Sequence, residues 1–191
     1  DRFAKVIDNL GAAGAEVVAL DVDFSARSSE AADDALAAAI RRRPGQVVLP
    51  TFVQTAGSGT ARRQADIRPL DALSDEAILA SVNVPVDLDG RVRRYRRGFG
   101  TDEGGRQSIA ATLAGAPPGG TDAFLIDYGI RHEDIDRLSF EAVHTGRFDP
   151  ALVRGRKILI GATALELGDE FATPEQGVLP GVYVHALAYE S

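Results

Sequence analysis

Apolar residues recur at Phe3, Val6, Ile7 and Leu10, a helical spacing that Gly11 and Gly14 bring to an end. The next run, Glu16 to Phe24, predicts a strand. Its continuous apolar start, Val17 to Leu20, predicts burial on both faces, as in a parallel sheet covered by helices. Ser29 offers a cap for a helix through Leu36, Ala39 and Ile40 that closes before Pro44-Gly45. Val47-Val48-Leu49 predicts a second, short strand. Helix, strand, helix, strand is the opening of an α/β fold.

The pattern weakens from Thr51 to Ala72, where Gly57-Ser58-Gly59-Thr60 reads as a loop ahead of the polar stretch Arg62 to Arg68. Beyond it, Ala80 to Val84 predicts a strand and Asp87 to Gly90 a turn, with Val92 to Phe99 returning antiparallel. Ser108 to Ala114 predicts a helix, Ala123 to Tyr128 a strand and Phe140 to Thr145 a short helix. Lys157 to Gly161 reads as a buried strand, and a last helix starts behind Pro180-Gly181. No internal repeat or low-complexity linker divides the chain. The expectation is therefore one α/β domain over residues 1–191, with a mostly parallel central sheet covered by helices and an antiparallel hairpin near residues 80–99.

Composition narrows the function. With 191 residues, 45% of them apolar, the chain can bury a sizeable core. A net charge of -7 argues against nucleic acid as a partner, because a phosphate backbone calls for a positive footprint. Without Cys there is no disulfide, thiolate metal site or thiol nucleophile. A chain that opens at Asp1 and contains no Met reads as a piece of a longer protein. No apolar run approaches the roughly 20 residues of a membrane helix.

The candidate chemistry is carboxylate-rich. Asp21 and Asp23, at i and i+2 of a strand, are predicted to share one face at its carboxyl end, where open α/β sheets bind ligands. There they would hold a hard cation or a polar ligand, or else one would fix a loop while the other pairs with an Arg. Asp169, in an irregular stretch beside the sheet, either faces a ligand or fixes its own turn. Asp127 and His185 are open in the same way, and neither His132 nor His144 has metal-ligand spacing to His185. Arg91, Arg93, Arg94, Arg96 and Arg97 form either an anion- or membrane-facing patch or a solvated strand edge.

Cofactor motifs are not met. Asp87 to Gly90 lacks the ligands of a calcium loop, Gly161 to Gly168 runs into Asp169-Glu170 where a phosphate loop needs Lys-Ser/Thr, and Ser58 is not in a nucleophile elbow. Neither a cofactor nor a metal is expected.

One family resemblance spans most of the chain. It is carried by Gly14-Ala15 with Val18 to Phe24, by Val82-Asn83-Val84 with Asp89 to Arg94, and by Ile126-Asp127-Tyr128. Most specific is the stretch from Gly155 to Ala186, with Lys157 to Thr163, Leu167 to Pro174 and Leu179 to Ala186. In this order the segments resemble the type-2 CHASE domain, an extracellular sensory domain of bacterial receptors. The resemblance implies a non-catalytic periplasmic domain of an integral membrane protein, with a membrane helix before it and several after. It also implies a cytoplasmic output: a nucleotide cyclase, a histidine kinase, or a cyclic di-GMP cyclase or phosphodiesterase. Phe124 to Tyr128 and Leu165 to Phe171 look most like members attached to cyclic di-GMP turnover. The partner would be a small molecule or a stress signal, and dimerisation through a terminal helix is expected. Two rivals remain: a small metal-dependent hydrolase using Asp21, Asp23 and Asp169, and a pocketless partner-binding module.

Overall fold

The structure, a computed structural model, describes residues 2–56, 63–102, 104–164 and 168–191. The apolar spacing of the first residues becomes α1 (Arg2–Ala12), which buries Ala4, Val6, Ile7 and Leu10. It leads into β1 (Val17–Asp21), where Val18, Ala19 and Leu20 are all buried. Val18 and Leu20 pack with α1 residues on one side, while Ala19 packs with a different cluster on the other. The continuous apolar run thus has the two-sided burial expected of a central parallel strand.

Ser29 caps α2 (Glu30–Arg41), its hydroxyl accepting from the Ala32 N–H at 3.3 Å. β2 (Val47–Ala56) then pairs parallel with β1. It runs well past the predicted Val47 to Leu49, because its second half pairs antiparallel with β3 (Arg63–Ile67) from Phe52↔Ile67 to Ala56↔Arg63. That pairing is what the weak pattern after Thr51 conceals. The predicted loop at Gly57 to Thr60, with Ser58, lies outside the described residues.

After the short α3 (Asp71–Ser74), β4 (Ile78–Ser81) adds parallel to β2. It stops before the predicted Val84 because Asn83 leaves the ladder. The Asn83 side chain takes over as backbone mimic, accepting from Val53 N–H at 2.7 Å and donating to Val53 C=O at 2.9 Å. Asp87 to Gly90 does turn, closed by Gly90 N–H on Asp87 C=O at 2.9 Å.

The antiparallel pairing expected between 80 and 99 has other partners than the predicted ones. β5 (Arg94–Arg96) pairs with β8 (Ala123–Leu125), and β6 (Gly98–Thr101) with β7 (Gly104–Gln107). A third antiparallel pair joins β10 (Glu170–Ala172) to β11 (Val178–Pro180). The helices α4 (Ile109–Leu113) and α5 (Phe140–His144) stand where the sequence placed them, capped by Ser108 and Ser139.

β9 (Lys157–Gly161) completes the main sheet, parallel to β1 on the side away from β2. The fold is mixed α/β, with a mostly parallel central sheet, helices and separate antiparallel hairpins, as read from the sequence. Among the described residues no helix is long and apolar enough to cross a membrane. α6 (Gly181–Glu190) is buried at Val182, Val184, His185, Leu187 and Ala188, so it is an interior helix and not an amphipathic cover.

Candidate functional site

β1 and β9 end side by side, with Asp21 and Gly161 as the last register pair. Their shared carboxyl end is where parallel α/β sheets bind ligands. α6 packs onto this end through Val182, which needs Gly161 to be bare: a Cβ there would lie 2.6 Å from Val182 Cβ. One helical turn after Val182, on the same face, comes His185.

His185 joins two parts of the fold. Its Nδ1 is 2.6 Å from the Tyr95 hydroxyl and its Nε2 3.4 Å from Asp21 Oδ2. All three side chains are interior: Tyr95 is 0% exposed, His185 2%, and the Asp21 side chain 8%. Burial, and then the charge of Asp21, hold the Tyr95 phenol well above its usual pKa. The contact seats the Tyr95 hydroxyl on Nδ1 and leaves Nε2 facing Asp21. Even so, Asp21 Oδ2 makes no hydrogen bond of good geometry among the described residues.

Asp169 stands at the start of α6, beside Gly181. Its backbone carbonyl accepts from Gly181 N–H at 2.9 Å, and its carboxylate lies against Gly181, where a Cβ would collide with it. That places a negative charge at the start of α6, which has no side-chain cap of its own. Burial raises the Asp169 pKa, Asp21 raises it further, and His185 opposes them.

A carboxyl group raised in this way binds its proton more tightly folded than unfolded, so its ionisation opposes folding. The stability it contributes is complete below the unfolded value, about 3.9, and is lost as pH rises through the folded value. The Asp169→Asn protein should therefore melt higher than wild type at pH 7, with the difference closing at pH values below about 4. Melting curves at the two pH values check this.

The remaining candidates are placed elsewhere. β1 ends at Asp21, so Asp23 is not on its face: it is exposed and accepts from Ser25 N–H at 2.8 Å in a turn. The strand stops because β9 offers no partner beyond Gly161. Asp127 is likewise exposed and fixes a turn, its Oδ1 accepting from Gly129 N–H at 2.9 Å.

The arginine run divides. Arg93 pairs with Asp87 at 3.1 Å and Asp89 at 2.6 Å, and its hydrogen bond holds Asp89 down at about 2. Arg97 pairs with Asp122 at 3.0 Å and lies over the Phe124 ring, and Arg91 reaches the Pro174 carbonyl at 3.4 Å. Arg94 and Arg96 point outward from β5, exposed on either side of the inward Tyr95. No group of three His, Asp or Glu side chains converges to hold a metal ion among the described residues.

Tyr95 is the member that sequence reasoning passed over. The signal was present as strand alternation, polar-apolar-polar at Arg94-Tyr95-Arg96, which sends the ring inward. Beside the cluster, a groove of about 1060 Å³ follows the outer side of β9, lined by Leu138, Phe140, Ile158 and Tyr183 and reaching Gly161 and Val182.

The polar cluster of Asp21, His185 and Tyr95 thus lies buried at the strand ends of an α/β sheet, under a returning helix. The chain matches the family model of the CHASE2 domain over residues 1–191 and belongs to that family, a family of extracellular sensory domains. No curated protein and no solved structure matches it significantly.

Proposed function

We propose that this domain is the periplasmic input of a bacterial transmembrane receptor, and that a small-molecule signal binds at the carboxyl ends of β1 and β9. The observation that carries the reading is Asp21: a carboxylate oxygen buried without a hydrogen bond among the described residues, at a strand end, next to a histidine of α6. Occupation of that oxygen changes what His185 faces, and His185 is fixed to α6 and, through Tyr95, to β5. α6 also packs against α4, β9 and the β10–β11 hairpin. A ligand that prefers one placement of α6 shifts the population of that placement, which is all a signal has to do.

In the receptor we infer, α1 and α6 lead towards membrane helices, two copies work as a pair, and the output is cyclic di-GMP turnover. The sensory role of the family agrees with a domain that catalyses nothing itself. The rival hydrolase is the weaker reading, because it calls for Asp23 beside Asp21 and Asp169, and Asp23 is exposed and bonded to Ser25 N–H.

A thermal-shift screen of divalent cations, small anions, amino acids and sugars tests the reading. A ligand at about 100 times its Kd adds roughly 2.7 kcal/mol of stability. The expected result is a hit that disappears in Asp21→Ala. A well-folded sample that responds to none of them would overturn a small-molecule site and point to a protein partner.

A further inference from the structure

β9 is built like a central strand but has a neighbour on one side only. Ile158, Leu159 and Ile160 make the continuous apolar run of a strand covered on both faces. β1 is its partner, and among the described residues no strand pairs with its other edge. All five of its residues are half-buried, whereas the middle of β1 is buried. Free edges are ordinarily guarded by charge or proline, and Ile158 to Ile160 offer neither.

The groove of about 1060 Å³ runs along this edge. Leu138 and Phe140 line it on the side where Ile158 and Ile160 pack with α1 and α5. Tyr183, Ala186 and Tyr189, the half-buried stripe of α6, line it on the other side, where Leu159 packs. The edge is thus recessed between two layers, in the place of a further strand of the sheet. Among the groove's cations, Arg131, Arg156 and Lys157 face Glu133, Asp136 and Glu16 at 3.2, 2.6 and 3.9 Å. Arg137 instead donates to the Tyr183 hydroxyl at 3.1 Å and has no carboxylate partner among the described residues. Tyr183 follows Val182, which packs on Gly161, so this cation stands towards the carboxyl end of β9.

We propose that the groove receives the extended, apolar C-terminal segment of a partner protein, added parallel to β9 with its terminal carboxylate on Arg137. In such strand addition the backbone supplies affinity and the walls select the side chains, here apolar on both faces. The guanidinium gains the carboxylate it lacks, in a charge-assisted pair. A second copy of this domain is a poorer occupant, because its β9 is recessed in the same way and two such edges cannot meet. The inference does not depend on the small-molecule site proposed above.

Five strand residues span about 17 Å, so heptapeptides are long enough to test it. Random heptapeptides displayed with free C-termini are panned against the domain, and the best binder is then synthesised. We expect enrichment of apolar β-branched residues, slowed hydrogen exchange at β9 amides on binding, and no binding once alternate peptide nitrogens are methylated. Affinity should fall at least tenfold on amidation of the C-terminus and in Arg137→Ala, an exposed position whose change leaves the core intact. Failure to enrich any peptide overturns the proposal, as does binding that tolerates N-methylation or is unchanged in Arg137→Ala. Each of these failures leaves the Asp21 site standing, since that site is tested by the thermal-shift screen.

Discussion

Gly161→Ala should be among the most damaging single-methyl changes in the domain. The added Cβ would lie 2.6 Å from Val182 Cβ and 2.7 Å from Val182 Cγ2. Neither partner can yield cheaply: Gly161 is held in register with Asp21, and Val182 is a stiff β-branched residue on an interior helix. Overpacking of this kind costs about 1–3 kcal/mol, and each kcal/mol lowers Tm by roughly 2–4 °C in a domain of this size. Gly100→Ala is the control, since a Cβ there meets nothing within 4 Å. Because relief comes only by lifting α6, the substitution should also disturb His185, visible as a change in its imidazole NMR signals. A variant with unchanged Tm would mean that α6 does not sit as closely on β9 as described.

Tyr95→Phe is expected to be the second large effect. The ring stays, and only a hydroxyl is lost, but that hydroxyl is the partner of a His185 nitrogen in a fully buried place. Leaving one buried polar atom unpaired costs about 1–3 kcal/mol, whereas removing both partners of a pair costs much less than the sum. Chemical denaturation of Tyr95→Phe, His185→Leu and the double variant should thus give a coupling energy well above the roughly 0.3–0.5 kcal/mol expected of independent sites. Additive effects would show that the 2.6 Å contact contributes nothing of its own.

What the sequence revealed and what it hid divide along physical lines. Local signals carried the helices: Ser29 and Ser108 mark the starts of α2 and α4, and the spacing of Phe3, Val6, Ile7 and Leu10 marks α1. The apolar run of β1 announced a central strand. Strand ends and partners were not legible, because they depend on segments distant in sequence. β2 continues to Ala56 only because β3 is there, and β5 finds β8 across the α4 region.

The same distinction runs through the site. Asp21, Asp169 and His185 could each be named from their local setting, but Asp23 was misplaced by the strand's early end. Tyr95 was missed because what makes it polar and interesting is a histidine 90 positions further on. The arginine run left a patch and a solvated strand edge both open, and Arg93 and Arg97 are committed to neighbouring carboxylates that the run itself does not announce.

The pairing of β1 with β9 also sets an order of assembly. Of the main sheet's strands, these are the earliest and the latest along the chain, and a bond from Asn9 Nδ2 to the Val143 carbonyl, 134 positions away, closes the same long loop. Contacts of such separation fold slowly, since the chain must lose its entropy before they form. Until residues 157–161 arrive, the free edge of β1 stays open, offering Val17-Val18-Ala19-Leu20 to any other strand. A chain delivered N-terminus first would pass its most aggregation-prone moment just before the site closes, and a polypeptide ending anywhere short of Gly161 would never leave it.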